Sequence, residues 1–403
     1  MTSIRAKRGG GTRNVPKFTD EHALADVVVA NLHRRYTGIS ATVRALVPHQ
    51  RKEFPISLVD TGNLGVDDTL SFWQVVRNGW SRSGNGTTRI WHARRDVEIL
   101  AGLFLRSVLR QKWKIVFTSA APKPPNVLLN ALIDRVDAVI ATSHRAAGFL
   151  DWHSCVIPHG VDTDFFCPPA DRDAAYAETG FPGKYAIGQM GRIRPSKGTD
   201  LFIDAMITLL PRYPEFTAVV CGLCQMTDRT YLSDMKRRVS EAGLESRIIF
   251  LGELPREEVR RWYQRLSLCV AASRREGFGL TPLEALASGC PVVASGTGAW
   301  PWIVNEEVGV LFETGNLQSL CQALEPMMAK VERLKRMGLA ARQRAVEHHS
   351  VERESAAINA IYAHLLSGHT MPRQSGATFS DAQRDGSLGR NTQRSRSIQR
   401  RVS

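Results

Sequence analysis

The 403-residue sequence has no apolar run that approaches the ~20 residues of a membrane-spanning helix. Residues 1–22 are polar and basic and lack the apolar core of a secretory signal, so no export is predicted. The seven cysteines are an odd number without regular spacing, which favours reduced thiols over a disulfide framework. Cys221 and Cys224 have the spacing of a metal or redox pair, but the chain has no second pair. These absences predict a cytoplasmic protein.

Acidic residues are scarce at both ends of the chain, which explains most of its formal net charge of +14. Residues 1–20 contain five Lys or Arg and one Asp, and residues 367–403 contain seven Arg and two Asp, so about +5 remains on the rest. We predict that a basic arm (residues 1–22) and a basic tail (residues 367–403) are disordered, because they contain too little apolar surface to fold alone. This distribution disfavours nucleic-acid binding, and attraction to anionic lipid headgroups is the alternative role of the two ends.

Strand-like and helix-like runs alternate through residues 23–165 and again through residues 184–345. Such alternation predicts parallel sheets covered by helices on both faces, hence two doubly wound α/β domains. A loop rich in Asp, Pro and Ala precedes the second half, and we predict an interdomain linker at residues 166–183. Residues 346–366 are predicted to form a helix that packs back towards the N-terminal domain. Because such sheets bind ligands at the carboxyl ends of their strands, a binding cleft is expected between the domains.

The segment Glu276–Glu284 has the pattern of a ligand site at the end of a buried strand. Pro282 favours a helix start, whose free amides favour an anion, and Gly277 and Gly279 let the backbone approach a ligand closely. Glu276 and Glu284 flank this segment and can accept hydrogen bonds from sugar hydroxyls. The pattern indicates a site for a phosphate between two polyols, as in a sugar nucleotide. A simple glycine turn, with Glu284 balancing the helix dipole, is the structural alternative.

A second segment, which is basic, follows the first strand of the C-terminal half of the chain, the half that also contains Glu276–Glu284. Arg192 and Lys197 lie there in the sequence Gly-Arg-Ile-Arg-Pro-Ser-Lys-Gly, on the loop into the next helix. Two cations in this position can hold a diphosphate leaving group. Both segments are expected at the same edge of one sheet, which favours a joint site over solvated surface charge.

These residues resemble a known family. Arg192 with Lys197, followed by Glu276 with Glu284, is similar to the paired signature of retaining glycosyltransferase family 4, and Ile157–Asp162 resembles its interdomain segment. Three further segments resemble the lipopolysaccharide-core mannosyltransferases of α-proteobacteria, namely Ile90–Asp96, Phe117–Ala121 and Ala138–Ser143. The resemblance implies a GT-B fold, with two Rossmann-like domains facing a cleft. It also implies transfer of mannose from GDP-mannose to a lipid-linked core oligosaccharide at the inner face of the cytoplasmic membrane.

The resemblance further implies roles for individual residues. Arg192 and Lys197 would neutralise the diphosphate, and Glu276 would hold hydroxyls of the transferred sugar. The donor-binding residues it implies are Gly38, Gly277, Phe278, Gly279, Leu280, Thr281 and Glu284. Attack by the acceptor hydroxyl from the leaving-group face would retain the anomeric configuration without a protein nucleophile, and no metal ion would be needed.

Two positions depart from the family pattern. Ala120 lies at about the position of a family histidine near the reacting carbon, and His92, on a neighbouring strand end, is either its replacement or a structural residue. Trp302 lies near the position of a family glutamate, and Trp300 and Trp302 either stack on the ligand or pack. Two alternatives therefore stay open: transfer from UDP-glucose or another donor, and a non-catalytic subunit that binds a sugar nucleotide or glycan.

Two stretches of the N-terminal half mix apolar and cationic residues. They are residues 72–82, with Phe72, Trp73 and Trp80, and residues 100–114. Such stretches either rest on an anionic membrane surface or cover the sheet with a basic outer face. A lipid-linked acceptor would account for the first possibility.

Overall fold

The protein is described from a computed structural model, which covers residues 24–35, 37–81, 88–150, 152 and 154–372. The predicted basic arm and residues 373–403 of the predicted tail lie outside these ranges. Within them, no helix combines the length and apolar character needed to cross a membrane.

The N-terminal half alternates strands and helices. Its elements are β1 (Val27–Asn31), α1 (Gly38–Gln50), β2 (Ile56–Asp60), β3 (Thr69–Leu70), α2 (Phe72–Asn78), β4 (Arg89–Ala93), α3 (Asp96–Leu103), β5 (Trp113–Ser119), α4 (Val127–Ile133), β6 (Ala138–Ala141), α5 (His144–Ala147) and β7 (Cys155–Val156). A π-helical turn, Phe104–Val108, continues α3.

The C-terminal half repeats the alternation and ends in three long helices. Its elements are α6 (Arg172–Ala177), β8 (Tyr185–Met190), α7 (Thr199–Leu209), β9 (Phe216–Cys221), α8 (Arg229–Glu241), β10 (Ile248–Gly252), α9 (Arg256–Arg265), β11 (Leu266–Ala271), α10 (Thr281–Ala287), β12 (Val292–Ser295), α11 (Trp300–Ile303), β13 (Gly309–Phe312), α12 (Leu317–Met328), α13 (Val331–His348) and α14 (Val351–Leu366).

Each half builds one parallel sheet, with the order β3-β2-β1-β4-β5-β6-β7 in the first and β10-β9-β8-β11-β12-β13 in the second. Alternate residues of β1 face opposite helix layers: Val27 and Val29 pack with α1 and α14, and Val28 and Ala30 pack with α3 and α4. The predicted pair of doubly wound domains is confirmed. The strand order reverses between β1 and β4 and between β8 and β11, and crevices at such switch points are where open α/β sheets bind ligands.

The last helix, α14, packs on the N-terminal sheet although it follows the C-terminal domain in sequence. Nε2 of Gln50 in α1 donates to Oδ1 of Asn359 over 3.2 Å, and Nζ of Lys114 donates to the carbonyl oxygen of Leu365 over 2.7 Å. A short parallel bridge between Val161 and Ser350 lies where the two crossing segments meet. The chain therefore passes between the domains twice, side by side.

Two predicted boundaries differ from the structure. The predicted linker, residues 166–183, includes α6, because the side chain of Asp171 caps its first turn and the Arg172 guanidinium donates to main-chain carbonyl groups of the C-terminal domain. The boundary predicted between residues 345 and 346 falls inside α13, which continues to His348. The second crossing therefore lies at residues 349–350.

Candidate active site

Lys197 and Glu276 lie on the loops that follow β8 and β11, at the switch point of the C-terminal sheet, and form an ion pair between Nζ and Oε2. Gly198 makes this approach possible: its φ is 67°, and a Cβ there would lie 2.1 Å from the carbonyl oxygen of Ala272. The hydroxyl of Ser273 donates to the same Oε2 over 3.4 Å. The two sequence motifs thus meet through their charged side chains.

A cavity of about 220 Å³ opens at the carboxyl ends of β8, β9 and β10. Neither Lys197 nor Glu276 lines it, although the charge of Lys197 lowers the pKa of Glu284, which does. Arg192, Thr281 and Glu284 line it, and the Arg192 guanidinium has no hydrogen-bond partner in the part of the chain that the structure describes. The remaining lining residues are Met190, Gly191, Cys221, Gly222, Leu223, Glu253, Leu254, Val259 and Tyr263. A larger cavity of about 590 Å³ lies at the opposite edge of the sheet, where the strands begin, and it contains none of the predicted site residues.

Glu284 presents a carboxylate to the cavity from α10. Its Oε2 accepts a hydrogen bond from the Tyr263 hydroxyl over 2.8 Å. Burial raises the pKa of the Glu284 carboxyl, and the Tyr263 hydrogen bond and the positive charges of Arg256 and Lys197 oppose this rise. One oxygen is thereby fixed, and the other is available to a hydroxyl group of a ligand.

The loop between Glu276 and Thr281 offers its backbone rather than its side chains. Phe278 is buried against the ring of His159, with 4.9 Å between ring centroids. Gly279 has a φ of +80°, and its carbonyl oxygen accepts a hydrogen bond from Nε1 of Trp300 over 3.1 Å. The side chains of Phe278 and Leu280 therefore pack with the domain core, and any ligand contact from this loop uses main-chain groups.

The N-terminal domain supplies the opposite wall. Ala120 directly follows the last residue of β5, and a Cβ at Gly277 would lie 2.2 Å from its carbonyl oxygen. Gly38 is the first residue of α1, and a Cβ there would meet nothing within 4 Å. The loop before it is held by Arg95, which donates to the hydroxyls of Thr37 and Ser40. The side of Gly38 on which a side chain would project therefore borders open space among the described residues.

The comparisons with known proteins agree with this arrangement. The family of group 1 glycosyl transferases matches residues 171–344. The lipopolysaccharide core biosynthesis mannosyltransferases LpcC of Rhizobium leguminosarum and LpsB of Rhizobium meliloti are each 40% identical to the chain, over 85% of its length and 97% and 98% of theirs. The chain belongs to the group 1 glycosyltransferases. Its GT-B fold is also that of Anabaena HepE, solved with UDP and glucose, with a TM-score of 0.71 at 18% identity over 84% of this chain and 99% of that one.

In this glycosyltransferase His92 is a structural residue in the arrangement observed. Its ring is fully buried, Nδ1 is hydrogen-bonded to the Tyr362 hydroxyl, and Nε2 is 2.7 Å from the Thr118 hydroxyl oxygen. Burial, with the nearby charge of Arg94, holds the pKa of His92 well below its ordinary value. Both nitrogens are occupied, so His92 does not replace the family histidine at Ala120.

The two tryptophans near the expected family glutamate have different environments. Trp300 is buried beneath Gly279, whereas Trp302 is 49% exposed and its ring centroid lies 6.1 Å from that of His144 in the N-terminal domain. Trp300 therefore packs and supports the loop. Trp302 borders the mouth of the cleft, where stacking on a ligand stays a prediction.

No group of three or more His, Cys, Asp or Glu suited to a metal ion occurs among the residues that the structure covers. The sequence does contain two Asp-x-Asp tripeptides, at residues 162–164 and 171–173. The first aspartate of each serves local structure: Asp162 accepts the amide of Phe165 over 2.9 Å, and Asp171 caps α6.

Sequence reasoning missed one wall of the cavity. Gly222 and Leu223 follow β9, and Glu253 and Leu254 follow β10. These residues belong to no recognisable motif. The signal that was available is positional, because the ends of neighbouring parallel strands lie at one edge of a sheet.

Proposed function

We propose that this glycosyltransferase transfers mannose from GDP-mannose, with retention of configuration, to a lipid-linked lipopolysaccharide core oligosaccharide. The observation that carries the proposal is the Lys197–Glu276 pair together with the cavity lined by Arg192 and Glu284. The names of the two rhizobial relatives support mannose and the core acceptor. A GDP-mannose-dependent mannosyltransferase of Mycolicibacterium smegmatis, 28% identical over 54% of the chain, supports the donor.

The donor fits the site in three parts. The diphosphate would lie between Arg192 and Lys197, because both cations are at the same strand ends and Arg192 has no other partner among the described residues. The mannose hydroxyls would then reach Glu276, and the ribose hydroxyls the free oxygen of Glu284. The nucleobase would then lie against the wall formed by Leu223, Glu253 and Leu254.

That wall favours guanine over uracil. The carboxylate of Glu253 is exposed at the cavity and has no partner within the described ranges. Guanine has two adjacent donors, the ring N–H and the amino group, and a carboxylate is an acceptor-only group with two oxygens that can take both. Uracil presents one N–H between two carbonyl oxygens, which a carboxylate repels. This chemistry supports GDP as the nucleotide.

The reaction needs charge stabilisation more than a protein nucleophile. As the bond between the sugar C1 and the β-phosphate oxygen breaks, negative charge grows on the diphosphate, where Lys197 and Arg192 stabilise it. The acceptor hydroxyl attacks C1 from the same face, and its proton passes to the departing phosphate oxygen. Positioning of donor and acceptor between the two walls supplies the rest of the acceleration. No metal ion enters this scheme.

A lipid-linked acceptor fits the outer layer of the N-terminal domain. Helices α2, α3 and α4 pack on one face of its sheet and form its outer layer. Nε1 of Trp80, after α2, donates to the carbonyl oxygen of Leu109, after α3, over 3.1 Å, and this hydrogen bond connects the two segments. The exposed large apolar side chains of this layer are those of Trp73, Trp80, Val97, Leu100, Phe104, Val108, Val127 and Leu128. Phe72 and Val75 pack inward instead. We infer peripheral contact of this surface with the anionic inner face of the cytoplasmic membrane.

The test is an assay of the full-length protein with GDP-mannose, UDP-glucose and other sugar nucleotides. The acceptor is lipopolysaccharide from a strain that lacks the protein. Transfer of mannose with an α-anomeric product, together with mannose missing from the core of that strain, is the expected result. Transfer from UDP-glucose but not GDP-mannose would refute the proposed donor. Donor binding without turnover would favour the non-catalytic subunit.

A further inference from the structure

Arg94 lies at the point where the strand order of the N-terminal sheet reverses, directly after β4. Only 5% of its surface is exposed, yet Nε and Nη1 have no hydrogen-bond partner in the described part of the chain. The neighbouring arginine differs, since Arg95 donates to Asn31, Glu98, Thr37 and Ser40. Burying a cation without a partner is strongly unfavourable, so proteins usually pair such groups. Arg94 therefore requires an explanation.

The carboxylates around Arg94 are already in use. Glu98 accepts from the Arg95 guanidinium and from the backbone amides of Leu32 and Arg94 itself. Glu354, on the facing helix α14, binds Nδ1 of His159 through Oε1 and the amide of Gly160 through Oε2, each over 2.8 Å. Neither forms an ion pair with the Arg94 side chain. The counter-ion is therefore not found among the residues that the structure describes.

Arg94 belongs to the acceptor side of the cleft. Because Ala93 pairs with Phe117 in the ladder, Arg94 lies beside Thr118, two residues before Ala120. The carbonyl oxygen of Ala120 in turn lies against Gly277, on the loop that carries Glu276. The cations suited to the donor diphosphate, Arg192 and Lys197, stand on the opposite wall. Because Arg192 and Lys197 already supply two cations for the diphosphate, Arg94 is available to a different anion.

We propose that Arg94 binds an anionic group, a carboxylate or a phosphate, on the acceptor saccharide close to the hydroxyl that receives the sugar. This inference rests on the proposed function, since it assumes an oligosaccharide acceptor in the cleft. A guanidinium suits this task because its planar fork binds carboxylate and phosphate oxygens through two parallel hydrogen bonds. The acceptor is then selected by charge as well as by shape. An incoming anion would also relieve the unfavourable burial of the free cation.

The experiment compares the full-length enzyme with R94Q, R94K and R212Q. Arg212 pairs with Glu325 on the surface of the C-terminal domain, so R212Q is the matched control for loss of an arginine charge. The acceptor is lipopolysaccharide from a strain lacking the protein, in three forms: native, carboxyl-reduced, and dephosphorylated with hydrofluoric acid. The two treatments separate the carboxylate from the phosphate.

For the unaltered enzyme we expect one treatment to lower kcat/KM for the acceptor by about 10- to 100-fold, the effect of losing a charge-assisted hydrogen bond. R94Q should show the same loss with native acceptor and no further loss with that treated form. R94K should recover part of the activity, and R212Q should match the unaltered enzyme. Without acceptor, R94Q should unfold at the same temperature as the unaltered enzyme or at a higher one, because an uncompensated buried charge has been removed. If the role of Arg94 were purely structural, R94Q would instead unfold at a lower temperature.

Two results would overturn the inference. In one, R94Q still discriminates between native and treated acceptor as the unaltered enzyme does. In the other, R94Q raises KM for GDP-mannose and leaves the acceptor KM unchanged, which would assign the anion to the donor. Failure of the proposed function is separable, since the unaltered enzyme would then transfer no mannose. In that case binding of the three acceptor forms to immobilised enzyme and R94Q still tests Arg94.

Discussion

Nζ of Lys197 forms an ion pair with Oε2 of Glu276, and this pair joins the loops after β8 and β11. Only 23% of the Lys197 side chain and 16% of the Glu276 side chain are exposed, so the pair is less screened by solvent than a surface pair. In the proposed reaction the two side chains separate, and each binds a part of the donor. Lys197 binds the diphosphate, and Glu276 binds sugar hydroxyls. The ion pair thus holds both groups near the positions that the proposed reaction requires.

Replacing Lys197 by methionine should lower kcat by about 10²- to 10³-fold, because the charge that grows on the leaving diphosphate loses a stabilising cation. Initial rates of GDP release with GDP-mannose measure the change. Lys184→Met is the control, since Lys184 forms an exposed pair with Glu215 over 2.9 Å, and exposed pairs contribute little. An unchanged kcat in Lys197→Met would contradict the role given to this lysine.

Two glycine replacements should separate contact between the walls from contact with the donor. In Gly277→Ala the added methyl group would lie 2.2 Å from the carbonyl oxygen of Ala120, so the two domains must separate and activity should be lost. In Gly38→Ala the methyl group meets nothing within 4 Å of the protein, so the melting temperature should hold while KM for the donor rises. Thermal unfolding and donor kinetics measure both effects. If Gly38→Ala leaves donor KM unchanged, Gly38 does not border the donor.

The Tyr263 hydroxyl should control the acid limit of nucleotide binding. Burial raises the pKa of Glu284, and the hydrogen bond from Tyr263 stabilises the ionised carboxylate and lowers it. In Tyr263→Phe that opposing effect is gone, so the carboxyl is protonated at a higher pH and the affinity for GDP begins to fall at a higher pH on acidification. Calorimetric titration with GDP from about pH 8 to about pH 5 covers the window. An identical pH profile for both proteins would exclude Glu284 from nucleotide binding.

Much of this arrangement follows from the sequence. Alternating runs predict both sheets, and parallel strands bring their carboxyl ends to one edge, which is why Lys197 and Glu276 meet across 79 positions. Helix α13 was not predicted, because its buried face consists largely of small residues. At Gly338 a Cβ would lie 2.5 Å from the carbonyl oxygen of Gly289, so at this position the helix packs too closely for an apolar side chain.

Contacts between residues that are far apart in the sequence cannot be predicted from local sequence patterns. The partner of His92 is Tyr362, 270 positions away on α14, and nothing near His92 indicates that both of its nitrogens are occupied. Glu253 likewise contributes to the cavity only because β10 lies beside β9. Spacing and composition describe the neighbourhood of a residue, whereas these contacts depend on how the sheets and α14 assemble.

Stability should fall on mild acidification partly because of His92. Its folded-state pKa lies well below the ordinary value of 6.5, so the unfolded chain binds a proton there that the folded chain does not. The unfolding free energy should therefore decrease by up to ~1.4 kcal/mol per pH unit from this group as pH falls below 6.5. His349, whose pKa burial lowers to about 4, acts in the same direction. In His92→Gln the slope from urea unfolding at several pH values should be shallower; an unchanged slope would contradict the assignment.

Membrane contact should depend on the apolar outer surface of the N-terminal domain. Trp73 is 72% exposed and Val127 is 87% exposed, so Trp73→Ser with Val127→Ser removes apolar area without disturbing the core. Binding to vesicles containing phosphatidylglycerol should weaken by about tenfold or more, since burial of each large apolar side chain stabilises binding by about 1–3 kcal/mol. Leu339→Ser is the matched control, because Leu339 is 76% exposed on α13 of the other domain. Co-sedimentation measures binding, and equal binding by the double variant and the unaltered protein would exclude this surface. Transfer to a deacylated, water-soluble acceptor should be the same in all three proteins, because the surface lies outside the cleft.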